Sequence, residues 1–431
     1  MKNILLYASF FTFIISCSPK ENKEIKEQPE PDIVESSDWL GTSAQSNEGT
    51  QIIRLAWGIF PKEFFSEAEQ RFQEMKNAGI THCVDWRDYS IPQCKILLDA
   101  AQSAGIKVIL NCDEMSSNPE LVVSQFKDHP ALDGYYLGDE PYSDKFSTYG
   151  ALADRIRELD QDHYVYLNML PGYTQNYQDY VNDIISIVNP KFLSFDNYTL
   201  YYTEGNEELI VHPKMFENLE IIRNSANESN KDFWAFCITS SHIVDDGKRL
   251  FPDPVLGHMR YYVYNNLAYG ANAIEYFTYW QAKPSDKPNS NGQYFLTAPI
   301  SYEGEKGPIY DRLQKINAEI KNLSFVFSEA KVNWVRLTGS TIPGTKKLTT
   351  ELDSTPIKEF EASGGIVISL LEKAGNKYLI VVNRDPTKSI ELNIETLSSV
   401  KRVLKSGAVI NSGNKLKIME GDVAIYTWPI N

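Results

Sequence analysis

The chain is poor in the residues on which several chemistries depend. Its 431 residues include only five Cys and six His, and no two Cys stand in a CxxC spacing. A zinc ribbon or a disulfide-built fold needs thiols at fixed spacing or high density, so neither is expected. Basic residues are outnumbered as well, 42 Lys and Arg against 57 Asp and Glu, giving a formal net charge of -15. A nucleic-acid groove needs clustered cations, so no nucleic-acid partner is expected. The pairs Glu207-Glu208 and Asp245-Asp246 are too short to form an acidic tail. There is no G-x-S-x-G nucleophile elbow, and no glycine-rich dinucleotide loop follows the first strand-like run. What the chain has in quantity is aromatic surface: 25 Tyr, 20 Phe and 7 Trp, 12% of the residues. Tyr and Trp pair a flat apolar face with a polar edge, which suits stacking on sugar rings as well as core packing.

The N-terminus reads as an address. Met1-Lys2-Asn3 precedes an apolar run from Ile4 to Ile15 and then Ser16-Cys17. A basic start, a short apolar core and a small residue before the cut describe a secretory signal, and the run is too short to span a bilayer. Ile14-Ile15-Ser16-Cys17 resembles the bacterial lipobox, which implies lipidation at Cys17 and a membrane contact through the lipid anchor alone. Ser18 replaces the aspartate that retains such proteins at the inner membrane, which implies the outer membrane of the cell envelope. Residues 18–50 are rich in Lys, Glu, Ser, Pro and Asn and read as a flexible tether. Cys83, Cys94, Cys112 and Cys237 read as buried free thiols.

From residue 51 to about 325, apolar runs alternate with amphipathic helical patterns. Strands are expected at 52–58, 82–86, 107–111, 134–138, 164–168, 192–195, 233–238 and 273–280. Helices are expected at 66–78, 92–104, 144–159, 177–188, 214–228 and 254–269, three of them stopped by Gly79, Gly105 and Gly270. Eight strand–helix units without a long break predict an α/β fold, a (β/α)8 TIM barrel, with a doubly wound open sheet as runner-up. After a helix at 309–321, short alternating segments at 332–337, 365–371, 377–383, 389–394, 415–420 and 423–428 predict an antiparallel β-sandwich over 326–431.

A barrel carries its chemistry at the C-terminal ends of its strands. Those ends hold Trp57; Asp85, Trp86 and Arg87; Asn111, Asp113 and Glu114; Asp139 and Glu140; Asn168; Asp196 and Tyr198; His242; and Tyr279 and Trp280. Carboxylates, amides and aromatic rings together make the surface a sugar needs. No motif asks for a metal or an organic cofactor. In Asp133-Gly134-Tyr135-Tyr136-Leu137-Gly138-Asp139-Glu140-Pro141, an apolar strand delivers two adjacent carboxylates and then Pro. Glu140 either caps the following helix or, with a raised pKa, acts as a general acid on a glycosidic oxygen. Asp139 would then hold Glu140 or a sugar hydroxyl.

This strand ending resembles the Asn-Glu-Pro signature of clan A glycoside hydrolases, with Asp139 in place of the Asn. The segment from Ala268 to Trp280 resembles the last strand of family 42 β-galactosidase-like barrels, which implies that Trp280 forms part of a sugar-binding floor. With the segment from Asp128 to Tyr136, the resemblance extends to a group of polysaccharide-utilisation lipoproteins and covers roughly residues 52–338. One departure stands out. Clan A places a nucleophilic glutamate after strand 7, whereas Phe233 to His242 contains no carboxylate. A second carboxyl must come from Asp196, from Glu275, or from Asp113 or Glu114, at about 5 Å for retention or roughly 6.5–9.5 Å for inversion. Glu275 has the opposite strand parity to Trp280 and so points to the helices if Trp280 faces the site. The reading is a glycoside hydrolase acting on a glycan or oligosaccharide. Trp57, Asp85, Arg87, Asn111, Asp139, Asn168, Tyr198, His242, Tyr279 and Trp280 are its candidate sugar ligands. The alternative is a glycan-binding lipoprotein that no longer catalyses.

Overall fold

The computed structural model describes residues 34–35, 51–173, 176–244, 248–284 and 292–430. The signal segment, Cys17 and all of the expected tether except Val34–Glu35 lie outside them. Eight parallel strands close into a barrel: β1 Ile53–Trp57, β2 His82–Val84, β3 Lys107–Leu110, β4 Leu132–Asp139, β5 Tyr164–Met169, β6 Phe192–Phe195, β7 Asp232–Ile238 and β8 Ala273–Phe277. Each strand neighbours the next in sequence, and β8 pairs with β1 to close the ring, Ala273 opposite Ile53 and Phe277 opposite Trp57. The helices are α1 Ala68–Asn77, α2 Ile91–Ala104, α3 Pro119–Phe126, α4 Phe146–Leu159, α5 Tyr177–Ile187, α6 Lys214–Glu228, α7 Leu256–Tyr269 and α8 Pro308–Phe327. The TIM barrel expected from the alternation is therefore present, and the open sheet is not.

Local chemistry sets these limits. Ser90 and Gln93 form a reciprocal capping box at the start of α2, and Gly105 ends it at φ +67°. Along the strands, side chains alternate between two cores. Leu55, Trp57, Val84, Ile109, Tyr166, Phe192, Trp234 and Phe236 fill the barrel, while Ala56, Cys83, Val108, Leu110 and Leu193 pack against the helices. The four cysteines in the described residues are buried and unpaired.

The C-terminal region is a sandwich. One sheet is built from Lys331–Leu337, Ile366–Lys373, Asn376–Asn383, Val423–Pro429, Lys401–Val403 and Val409–Asn411. The facing sheet holds Ile357–Ala362, Ile390–Thr396 and Lys415–Ile418, to which Val34–Glu35 adds in parallel. The larger sheet is buried on both faces: Ile366, Ile368 and Leu370 look into the sandwich, and Val367, Leu371 and Ile380 look toward the barrel. That is why residues 366–371 read as an apolar run broken only by the buried Ser369. Helix α7 lies between the two regions and is buried almost all round.

One element is new relative to the sequence reading. The connections after β6, β7 and β8 contribute Leu200–Thr203 with Asn206–Val211, Ser241–Val244 with Arg249–Phe251, and Tyr294–Thr297. These five strands pair into a single antiparallel sheet on the rim of the barrel mouth.

Candidate active site

The C-terminal ends of the strands open into a cavity of about 450 Å³. Its position follows from register. Asp139 on β4 stands opposite Asn168 on β5, and Asn168 stands opposite Ser194 on β6. The first of these pairings depends on a bulge. Between Tyr136 and Gly138, β4 advances two residues while β5 advances one, which brings Asp139 level with Asn168. Gly138 leaves room there for Tyr149, whose ring would have to shift for a side chain because a Cβ would lie 2.5 Å from its hydroxyl.

Asn168 is the central clamp. Its amide Nδ2 donates to Asp139 Oδ1 at 2.9 Å and to Asp196 Oδ1 at 3.1 Å. Asp196, just past β6, also shares a side-chain hydrogen bond with Glu140. Two carboxyls in contact must hold a proton between them. Glu140 follows β4 with a backbone φ of +45°, a left-handed conformation that costs a non-glycine residue about 1–2 kcal/mol. Its neighbours pin it. Glu140 N donates to Asn168 O at 2.9 Å, and the Tyr180 hydroxyl donates to Pro141 O at 3.1 Å.

The electrostatics follow from burying acids together. Burial, then the charge of Asp196 and the shared hydrogen bond, push Glu140 up to about 9. Burial and the charge of Asp139 raise Asp196 to about 7, against the opposing pull of the Asn168 and Glu140 hydrogen bonds. Asp139 is open to solvent through the cavity mouth but hemmed in by protein on its other sides. That crowding, with Glu140 beside it, raises its carboxyl to about 7. Around neutral pH, Glu140 is therefore a proton donor beside two groups near their titration points.

Aromatic rings form the opposite walls. Trp57 and Trp86 stack at 6.3 Å, and Tyr198 stacks on Phe277 at 5.8 Å. His242 lies between Phe251 at 4.7 Å and Phe295 at 5.3 Å, its direct cross-strand neighbours in the rim sheet. Burial lowers His242 to about 4, so it is neutral at pH 7.

The candidates named from the sequence fall into three places. Glu140, Asp139, Asp196, Asn168, Trp57, Tyr198 and His242 face the cavity. Asp85, Arg87 and Asn111 do not. Asp85 accepts from Ile59 N, Arg87 N, the Arg87 guanidinium and the Tyr89 hydroxyl, and Asn111 donates to Asp85 O and Arg87 O. The three fix the loop after β2, and Arg87 borders an adjoining cavity that shares Trp86 and Ala282 with the first. The expectations for Tyr279, Trp280 and the direction of Glu275 need correction. β8 ends at Phe277, and Trp280 packs outside the barrel mouth against Phe60 and Phe64, with the Arg71 guanidinium 5.3 Å from its ring centroid. Tyr279 is buried and is also away from the cavity. Because β8 ends before Trp280, two-residue alternation does not run from Trp280 back to Glu275. Within β8, Glu275 shares the face of Phe277, which lines the cavity, and so points into the barrel, fully buried below the cavity floor.

The sequence reading missed Phe236 and Phe277 as wall residues, although two-residue periodicity from Trp234 and Glu275 marks both as inward-facing. It also missed Tyr173, Arg249, Phe251 and Phe295, of which the last three belong to the rim sheet. Among the described residues, no group of His, Cys, Asp and Glu is arranged to hold a metal ion.

No protein-family model matches the sequence, and no curated protein matches it. Solved structures do resemble it. The crystal structure of a β-galactosidase from Bacillus circulans sp. alkalophilus has a TM-score of 0.60 at 9% identity, over 89% of this chain and 99% of that one. Gan42B, a GH42 β-galactosidase, gives 0.60 at 8% identity over 89% and 99% of the two chains. A glycoside hydrolase family 5 protein from Bacteroides vulgatus gives 0.55 at 14% identity over 88% and 89%. At these identities the similarity establishes a shared fold that runs through both the barrel and the region after it.

Proposed function

We propose that the chain hydrolyses a glycosidic bond in a glycan or oligosaccharide, with Glu140 as general acid and Asp196 as the carboxyl that works with it. The observation that carries this reading is Glu140 sharing a side-chain hydrogen bond with Asp196, beside Asp139 and Asn168, at the mouth of a barrel whose cavity has aromatic rings among its walls. A glycosidase needs one carboxyl that keeps its proton at working pH and a second that ionises. Glu140, at about 9, and Asp196, at about 7, are separated in that order. As a sugar enters, Glu140 turns its proton from Asp196 to the glycosidic oxygen, and Asp196 is left as the carboxylate facing the anomeric carbon. Asn168 and Asp139 hold Asp196 and a ring hydroxyl in place, while Trp57, Trp86 and Tyr198 offer faces for the ring. NMR of fresh hydrolysate would record whether the product keeps its anomeric configuration, as with retaining enzymes, or inverts it.

The pH profile follows from the signs. Activity rises as Asp196 loses its proton near 7 and falls as Glu140 loses its proton near 9, a bell whose limbs belong to the coupled cluster. The direct test is a glycoside panel with wild type, Glu140→Gln and Asp196→Asn. Turnover that survives Glu140→Gln overturns the acid assignment.

One observation favours a second reading, glycan capture without cleavage: β7 ends at Ile238 and sends Phe236, not a carboxylate, into the cavity. Sugar binding by wild type with no turnover on the panel would establish it. We further place the protein at the bacterial cell envelope, lipidated at Cys17, on the strength of the N-terminal sequence. Fatty-acid labelling that persists in Cys17→Ala would remove that placement. No helix among the described residues is long and apolar enough to cross a membrane.

A further inference from the structure

Below the cavity floor lies a chain of hydrogen bonds that ends on Glu275. The Trp57 indole N–H donates to the Tyr166 hydroxyl at 3.1 Å, and Tyr166 donates to Glu275 Oε1 at 2.6 Å. Ser194 Oγ lies 2.7 Å from Glu275 Oε2, 3.0 Å from Asn168 Oδ1 and 2.9 Å from Tyr166 Oη. Counting hydrogens decides how this chain is protonated. A serine hydroxyl has one hydrogen to donate. Asn168 commits both amide hydrogens to Asp139 and Asp196, so its carbonyl oxygen needs a donor, and Ser194 is the one in reach. Once Ser194 donates to Asn168, the 2.7 Å contact between Ser194 and Glu275 Oε2 has no hydrogen unless Glu275 supplies it. Turning the Asn168 amide over would set its oxygen against both aspartates and require two extra protons there. The arrangement shown requires one.

We propose that Glu275 is a neutral carboxylic acid acting as a positioning residue: its proton goes to Ser194, Ser194 donates to Asn168, and Asn168 is thereby held with both amide hydrogens toward Asp139 and Asp196. Glu275 does not touch the cavity and is not itself the second catalytic carboxyl. The surroundings agree. Glu275 is 0% exposed, and the titratable groups that act on it are Tyr164, Tyr166, Tyr198 and Asp139, none of them a cation. Burial raises its carboxyl to about 8. Above that pH the ionised Glu275 takes the Ser194 hydrogen for itself, Asn168 loses its orienting donor, and the clamp on the two aspartates loosens.

The role assigned to Asn168 in turnover rests on the glycosidase reading. The proton on Glu275 does not, and the experiment separates them. Without substrate, the infrared C=O stretch of protonated carboxyls is compared at pH 6.5 between Glu140→Gln and Glu140→Gln/Glu275→Gln. Loss of a band in the double variant supports the proposal, and identical spectra overturn it. With substrate, Glu275→Gln copies the neutral acid, its amide donating to Ser194 and its oxygen accepting from Tyr166. It should keep kcat within about threefold of wild type and extend the alkaline limb. Glu275→Ala should lower kcat at least tenfold with KM moved far less, in protein shown to be folded by circular dichroism. A Glu275→Gln protein that folds but loses turnover as Glu140→Gln does would make Glu275 catalytic and end the positioning role. A lost infrared band, with no glycoside cleaved by any form, would leave the proton assignment standing and refute the glycosidase reading.

Discussion

Two of the sites where this molecule gathers carboxylates treat them in opposite ways. Where the barrel meets the sandwich, Glu319 and Asp422 are both 0% exposed. Arg260 forms a two-pronged hydrogen bond with Glu319, Tyr264 donates to Glu319 at 2.7 Å, and Arg260 and Lys405 both pair with Asp422. Burial works upward on the Asp422 carboxyl, but Lys405 and Arg260 outweigh it and hold the group below its ordinary value. At the barrel mouth, where Arg249 also lines the cavity, the described residues place no ion pair on Asp139, Glu140 or Asp196 like those at the interface, and all three are raised. The chain can neutralise a buried acid when the task is to hold two regions together. At the mouth it instead sets the acids against one another, the condition under which carboxyls hold protons near neutral pH.

The contrast can be broken at either end. The largest effect is expected at the interface. Arg260→Met leaves the fully buried Glu319 without its cation, and a buried pair broken from one side costs about 3–5 kcal/mol, read as a fall in urea midpoint at pH 7. Next is Glu140→Gln, which should lower kcat by roughly a hundredfold or more while leaving the urea midpoint unchanged or higher, since a general acid contributes about 10²–10⁴. Asp196→Asn should stabilise. The carboxyl is raised in the fold from 3.8 to about 7, so the folded form gives up stability as pH climbs across that window, and the amide does not. A gain of about 1–2 kcal/mol at pH 8 that vanishes below pH 4 is expected, and a gain equal at both pH values would contradict the cluster electrostatics. The smallest effect concerns the backbone. With φ at +45°, Glu140→Gly should be more stable than Glu140→Ala by about 1 kcal/mol, whereas the order is reversed at an ordinary helical position.

Much of the architecture was legible because apolar runs and turn chemistry coincide. Each of the eight expected barrel strands overlaps an observed one, and Gly79, Gly105 and Gly270 adopt positive φ where helices were expected to stop. Helix α3 escaped notice because it is only eight residues long and is not followed by a glycine. The acids at the ends of β4 and β6 were found because strand-end position is a strong guide in a barrel. Trp280 was misplaced because the apolar run continues to residue 280 and set the end of β8 three residues too far along, and that error turned Glu275 the wrong way. The bulge in β4 leaves no mark in a pattern of apolar and polar residues, yet it decides which face Asp139 takes. The rim sheet was invisible for another reason. Its ladders join segments such as 241–244 and 294–297, far apart in sequence, each too short to announce itself.

That rim sheet changes how the mouth of the barrel can vary. In most barrels the connections above the strands are separate loops, free to lengthen or mutate one by one. Here three of them share one hydrogen-bond ladder, and His242, Phe251 and Phe295 lie side by side across it. Such a ladder opens as a cooperative unit, so amide exchange in Leu200–Thr203, Ser241–Val244 and Tyr294–Thr297 should slow together when a ligand fills the cavity. Retuning this mouth for another ligand therefore requires concerted change in all three connections, because an insertion in one shifts the register of the others.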